Sequence, residues 1–251
     1  HHAGDAMYRS ARLMAAEQGP DAAEPLFRAI VTTYANTFAA DDALGWLLER
    51  YRSTGRSAAI AAWMIDVYPP LMRTEVADNL AYWTARVMQE DLSNPAAALE
   101  LYSLLITQFH PSNLMDDSIW RSTVCYRELG RTDDEYRLLK AFIDVREVSW
   151  IMADYESEYY RPTLERMAEI HEERGELREA IAVWERFQTT YRLSLYRDDN
   201  QFHIMELQRD LGDIDGMRAS LAWLREEYPR SRFVRQAEAL LAETLGEGGG
   251  E

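Results

Sequence analysis

Gly175–Tyr191, GELREAIAVWERFQTTY, carries the pattern on which the reading of the whole chain turns. It opens on a glycine, the residue that most readily takes the left-handed backbone that ends helices. Ala180, Trp184 and Phe187 follow at offsets of four and seven, which put all three on one face of a helix. An aromatic, Tyr191, closes the segment. The same small, large, large, aromatic series recurs three times more. It runs through Ala23, Phe27, Ile30 and Tyr34, through Ala98, Tyr102, Leu105 and Phe109, and through Met217, Leu221, Leu224 and Tyr228. Four copies of one pattern identify a repeat protein.

Two further rulers agree. Gly19, Gly55, Gly130, Gly175 and Gly212 stand at intervals of 36, 75, 45 and 37 residues. The long interval divides near Asn94, which also tolerates the left-handed conformation. Asp41-Asp42, Asp116-Asp117 and Asp198-Asp199 each precede their glycine by 14 residues and are expected to cap helix N-termini. Each unit therefore reads as helix, glycine turn, helix, aromatic. Pro69, Pro70, Pro111 and Pro229 are expected to stop the second helix, since proline lacks the amide and clashes with the preceding turn. Trp63, Tyr102, Leu139, Trp184 and Leu221 are expected at one equivalent position between helices. Asp66 and Glu135 break the pattern, standing where an apolar and a small residue are expected.

Phe38–Tyr51, FAADDALGWLLERY, and Phe109–Gly130, FHPSNLMDDSIWRSTVCYRELG, resemble bacterial cell-envelope tetratricopeptide repeats (TPR). The shared pattern is an aromatic, Pro, any residue, Ser, then an acidic pair opening a helix that ends with Tyr and Gly. Tyr228–Ala237, YPRSRFVRQA, repeats its opening. The resemblance covers nearly the whole chain. It is closest in kind to the periplasmic repeat proteins of the outer-membrane β-barrel assembly machinery and of the Tol–Pal system. It implies an all-α fold: a right-handed, TPR-like superhelix of about six helix pairs, closed by a terminal helix over Arg232–Leu245. Residues 1–245 would form one repeat domain, and 246–251, GEGGGE, a flexible tail.

The function it implies is that of an adaptor or scaffold in an envelope complex, periplasmic or outer-membrane associated. In that register the first helix of each pair lines a concave groove. Its positions would include Asp42, Glu49 and Arg52, then Trp120 and Arg127, then Glu165, Glu169 and Glu172, and finally Phe202, Glu206 and Arg209. An acidic groove with isolated aromatics and arginines suits a peptide or helix bearing apolar anchors and positive charge. A solvated charged face is the plainer alternative for any one of these residues. A cytosolic adaptor, or a regulatory repeat domain of a longer polypeptide, is the second reading.

The interval between Gly130 and Gly175 exceeds a standard repeat by roughly ten residues. The excess falls in Val148–Tyr160, VSWIMADYESEYY, and the next helix is expected to start near Pro162. Its aromatics include Trp150, Tyr155, Tyr159 and Tyr160. They fit either an elongated helix packed on its neighbour or a protrusion that binds a partner.

Composition excludes several classes. With 47% apolar residues the chain can bury a core, and a net charge of -16 argues against a phosphate-backbone binder. No nucleic-acid partner is expected. No apolar run approaches a membrane span; a lipid anchor outside the sequence is compatible, since His1 and His2 read as the remnant of a tag. Cys125, the single cysteine, forms no intramolecular disulfide and reads as a buried structural thiol. No HExxH, GxSxG, phosphate loop or EF-hand spacing occurs. The Asp pairs lack the third Asp of a DDxxD magnesium motif, leading instead to Gly45, Trp120 and Phe202. Of His110, His171 and His203, no two stand at metal-ligand spacing. No catalytic residue, metal or cofactor is therefore expected. An α/α-toroid carbohydrate enzyme is the competing class, but it needs two positioned carboxylates in a closed ring.

Overall fold

The computed structural model describes residues 2–109, 113–144, 157–192 and 194–247. The described residues form thirteen α-helices and contain no strand. They form six consecutive pairs: α1 (His2–Gln18) with α2 (Pro20–Thr33), α3 (Phe38–Ser53) with α4 (Ser57–Leu71), and α5 (Ala77–Arg86) with α6 (Pro95–Gln108). Then come α7 (Met115–Glu128) with α8 (Thr132–Asp144), α9 (Tyr160–Glu173) with α10 (Leu177–Thr190), and α11 (Arg197–Asp210) with α12 (Ile214–Glu227). The terminal helix α13 spans Arg232–Glu247, two residues further than expected. Two compact units divide between Leu138 and Leu139. In the first, helices α1 to α7 each pack on the next; in the second, α9 to α13 do. Contacts also skip one helix: α1 meets α3, the first helix of the next pair, and α11 meets the terminal helix α13. This is how pairs that cannot bury their own apolar faces reach stability.

The turns follow one local design. Gly55, Gly130, Gly175 and Gly212 have φ between 66 and 71°. Each glycine amide donates to the carbonyl three residues back, Gly175 to Glu172 at 2.9 Å. The following amide donates five back, Glu176 to His171 at 2.8 Å. This Schellman arrangement satisfies the last carbonyls of the first helix and turns the chain into the second. The turn near Asn94 is built differently. Ser93, not Asn94, takes positive φ, at 50°, while Asn94 caps α6 by accepting from the Ala97 amide at 3.2 Å. A π-helical turn over Val87–Asp91 extends α5 and replaces the glycine device.

The second helices bury the repeated series as expected: Ala23, Phe27 and Ile30, Ala98, Tyr102 and Leu105, Ala180, Trp184 and Phe187, and Met217, Leu221 and Leu224 are all buried. Tyr34, Phe109, Tyr191 and Tyr228 are the C-caps of these helices, each donating its amide to the series' third member. In α8 the series is Glu135, Leu139 and Phe142, all buried. Glu135 is 0% exposed at a position meant for a small side chain, and Arg127 reaches it from α7 with Nε at 2.9 Å and Nη2 at 2.7 Å.

Three expectations are corrected. In α4 the buried series is Ile60 and Met64 with Val67 partly buried, one residue later than expected. That slip leaves Asp66 exposed and Trp63 only partly buried, its ring beneath the Arg28 guanidinium at 4.9 Å. Pro69 and Pro70 lie inside the last turn of α4, which runs on to Leu71. Asp41 and the pairs Asp116-Asp117 and Asp198-Asp199 lie inside the first turns of α3, α7 and α11, where they can favour the dipole, but no side chain caps these helices. Their reach is between repeats: Asp41 accepts from Asn79 at 3.0 Å, and Asp198 from the Ser231 hydroxyl at 2.6 Å.

Asp41 has a consequence for pH. Burial pushes its carboxyl up to about 6, against the Asn79 hydrogen bond, and Asp78, Asp42 and Glu75 add repulsion. An acid raised in the folded state adds stability that is fully present below its unfolded value and lost as pH rises through about 6. Asp41→Asn should therefore stabilise the protein near about pH 8 by roughly 1 kcal/mol after solvent screening. Near about pH 4 the variant and the parent should differ little. Urea unfolding at the two pH values checks both the size and the sign.

Candidate functional site

In the first unit, the first-helix face is organised around Trp46. Its indole lies flat on Phe27, with centroids 3.9 Å apart and planes 14° apart. One ring face is thus held by the core, while the indole also borders a shallow surface recess. This recess, about 380 Å³, is lined by Arg12, Ala15, Ala16, Pro20, Trp46 and Glu49. A smaller one of about 230 Å³ shares Pro20, Trp46 and Glu49 and reaches Arg50 and Ser53. Arg50 pairs with the exposed Asp21 at 2.7 Å. Trp46 follows Asp42 by four residues and precedes Glu49 by three, so the three share a stripe of α3. Sequence counting took Asp42 and Glu49, both exposed, and passed over the tryptophan between them.

Further along the same unit, the π-helical turn presents Glu90 and Asp91 to three arginines. Arg52 of α3 donates to Asp91 at 2.7 Å and to Glu90 at 2.8 Å. Arg86 of α5 meets Glu90 at 2.8 Å, and Arg121 of α7 meets it at 2.7 Å. Burial alone would raise the Glu90 carboxyl, but hydrogen bonds from Arg52 and Arg86 outweigh it and hold the group below its usual range. For Asp91 the Arg52 hydrogen bond is the leading cause of a lowered value. Arg52 is therefore a tie between helices. Arg127, also expected in the groove, is exposed and held by Glu135. Trp120 is partly buried on α7.

In the second unit, Glu165, Glu169 and Glu172 share α9. Glu165 is partly buried and raised by burial, with Arg161 opposing at 3.0 Å. Glu169 is exposed and meets Arg166 at 3.1 Å. Glu172 accepts from the Trp184 indole at 2.9 Å and lies 3.0 Å from His203, which also reaches Glu206 at 3.3 Å. Two expected groove residues, Glu172 and Glu206, are thus brought together by a histidine that the groove count omitted. Phe202 stacks on Phe233 of α13 with centroids 5.4 Å apart. Arg209 is exposed and meets Asp210 at 2.8 Å. Tyr159 is partly buried just ahead of α9. Trp150 and Tyr155 lie outside the described residues.

Among the described residues no three His, Cys, Asp or Glu side chains are grouped to hold a metal ion. Cys125 is buried, and burial pushes its thiol up to about 12, against nucleophilic use. Among the described residues no helix is long and apolar enough to cross a membrane.

No family model matches the chain, and no curated protein matches it. Among solved structures it is similar to PilW, a widely conserved type IV pilus biogenesis factor, at 11% identity and TM-score 0.47, over 94% of this chain and 98% of that one. It is also similar to a Podosopora anserina protein with nearly identical TPR-like repeats. That match has 15% identity and TM-score 0.41, over 68% of this chain and 86% of the other.

Proposed function

We propose that this chain binds a polypeptide along its first-helix faces and serves as an adaptor or scaffold. The observation that carries the reading is Trp46. Its indole is pre-positioned by stacking on Phe27 and borders a recess edged by Glu49. A partly exposed aromatic held in one orientation loses little freedom on binding, which is what an anchor point needs. The carboxylates of α9 supply a second, acidic stretch, and the net charge of -16 favours a partner with a basic or apolar face. Association should therefore slow as salt rises. The likeness of the Phe38–Tyr51 and Phe109–Gly130 runs to envelope repeats supports placing the complex in the bacterial envelope. A cytosolic adaptor is the alternative, and fractionation of native cells separates the two.

The binding test is a pull-down from the native organism followed by affinity measurement on three variant sets. These are Trp46→Ala; charge reversal at Glu165, Glu169 and Glu172; and Ala replacement of Trp150 and Tyr155. At least one set should weaken the partner by more than about tenfold, as loss of a central anchor does. If none does so while folding is intact, the faces named here are not the site. Turnover of a polysaccharide with no protein partner would end the adaptor reading.

A further inference from the structure

His203 projects from α11 between two carboxylates. Its Nε2 lies 3.0 and 3.1 Å from the two oxygens of Glu172 on α9, and its Nδ1 lies 3.3 Å from Glu206 one turn along α11. Trp184 of α10 braces the arrangement. Its indole N–H donates to Glu172 at 2.9 Å, and its ring stands edge-on to the imidazole with centroids 5.6 Å apart. An ionised carboxylate only accepts, whereas a neutral imidazole carries one N–H and one lone pair. Both contacts can be hydrogen bonds at once only when both ring nitrogens are protonated. In the neutral ring one nitrogen turns a lone pair toward a carboxylate, and that contact becomes repulsive.

We infer that His203 is a proton-operated latch fastening α9 to α11, closed when the ring is the imidazolium and loosened when it is neutral. The groups facing the ring agree in sign. Burial alone would lower its pKa, but the Glu172 hydrogen bond and charge, with those of Glu206, outweigh it and raise the group above its ordinary value. Trp184, from α10, is uncharged. Arg209, whose hydrogen bond goes to Asp210, acts on Glu206 through its charge alone. A histidine raised in the folded state adds stability that is fully present below its unfolded value and lost as pH rises through its folded value. The last two helix pairs should therefore hold together more firmly in mildly acidic than in alkaline solution. The inference rests on the geometry of the second unit and does not depend on what the protein binds.

Two measurements decide it. In a ¹⁵N-histidine titration followed by NMR, His203 should hold both ring protons to a higher pH than histidine in the same chain unfolded in urea. In thermal unfolding, the parent should lose about 2–4 °C more between about pH 6 and pH 9 than His203→Gln does. His171 is half of a separate pair, 2.6 Å from Glu176, so only the difference between parent and variant reports the latch. Glu206→Gln should fold whether or not His203→Gln does, and should move the His203 titration to lower pH. Titration at or below the unfolded value, or an equal loss of Tm in parent and variant, would overturn the inference.

Discussion

Replacing Trp184 with Ala should destabilise the second unit by about 3–5 kcal/mol, the cost of deleting a large buried aromatic. The indole is 8% exposed and stands edge-on to Phe187 at 6.2 Å and to His203 at 5.6 Å. Three losses coincide in the variant. The ring's transfer free energy disappears, the surrounding helices cannot close the cavity fully, and Glu172 loses its indole donor. Trp184→Phe keeps much of the volume while removing the donor, and should cost about 1–2 kcal/mol. Urea unfolding of the two variants separates packing from hydrogen bonding. A loss below about 1 kcal/mol for Trp184→Ala would mean that the ring is not part of the core.

Tyr102 is the equivalent residue of α6, and Tyr102→Ala should cost the first unit a similar ~3–5 kcal/mol. The side chain is fully buried, edge-on to Tyr82, with its hydroxyl donating to the Gln89 side-chain oxygen at 3.2 Å. Tyr102→Phe should cost about 1 kcal/mol, because the ring stays and one buried acceptor loses its donor. The interval between the two variants measures the ring alone. The hydroxyl is a poor candidate for titration, since burial raises it well beyond the ordinary phenol. An alkaline transition in the parent that vanishes in Tyr102→Phe would contradict that burial.

The two positions were readable from the sequence because a second helix repeats its small, large, large series at helical offsets, and nothing outside the helix is needed to see it. The four Schellman glycines were readable for the same reason: the left-handed residue and its two hydrogen bonds are local. What escaped was set by partners one repeat away. Asp41 and Asp198 looked like caps, a local role, yet their hydrogen-bond partners Asn79 and Ser231 stand 38 and 33 residues on. Trp63 fitted the spacing, but the core took Met64 beside it. The α3 stripe was legible at Asp42 and Glu49, and the same offsets would have included Trp46. The Glu172–His203–Glu206 cluster was not legible, because its members lie on two helices and only packing brings them together.

The π-helical turn at Val87–Asp91 behaves like a phase slip in a screw thread. A surplus residue in one helical turn rotates everything beyond it by roughly 100° about the axis. Here that rotation delivers Glu90 and Asp91 to arginines on α3 and α7 as well as on α5. Excising one residue to restore a regular helix would improve the local winding and swing both carboxylates away from the arginines on the neighbouring helices. Smooth winding of this helix and its fastening to both neighbours are thus mutually exclusive, and the chain holds the defect in place of the perfect spiral.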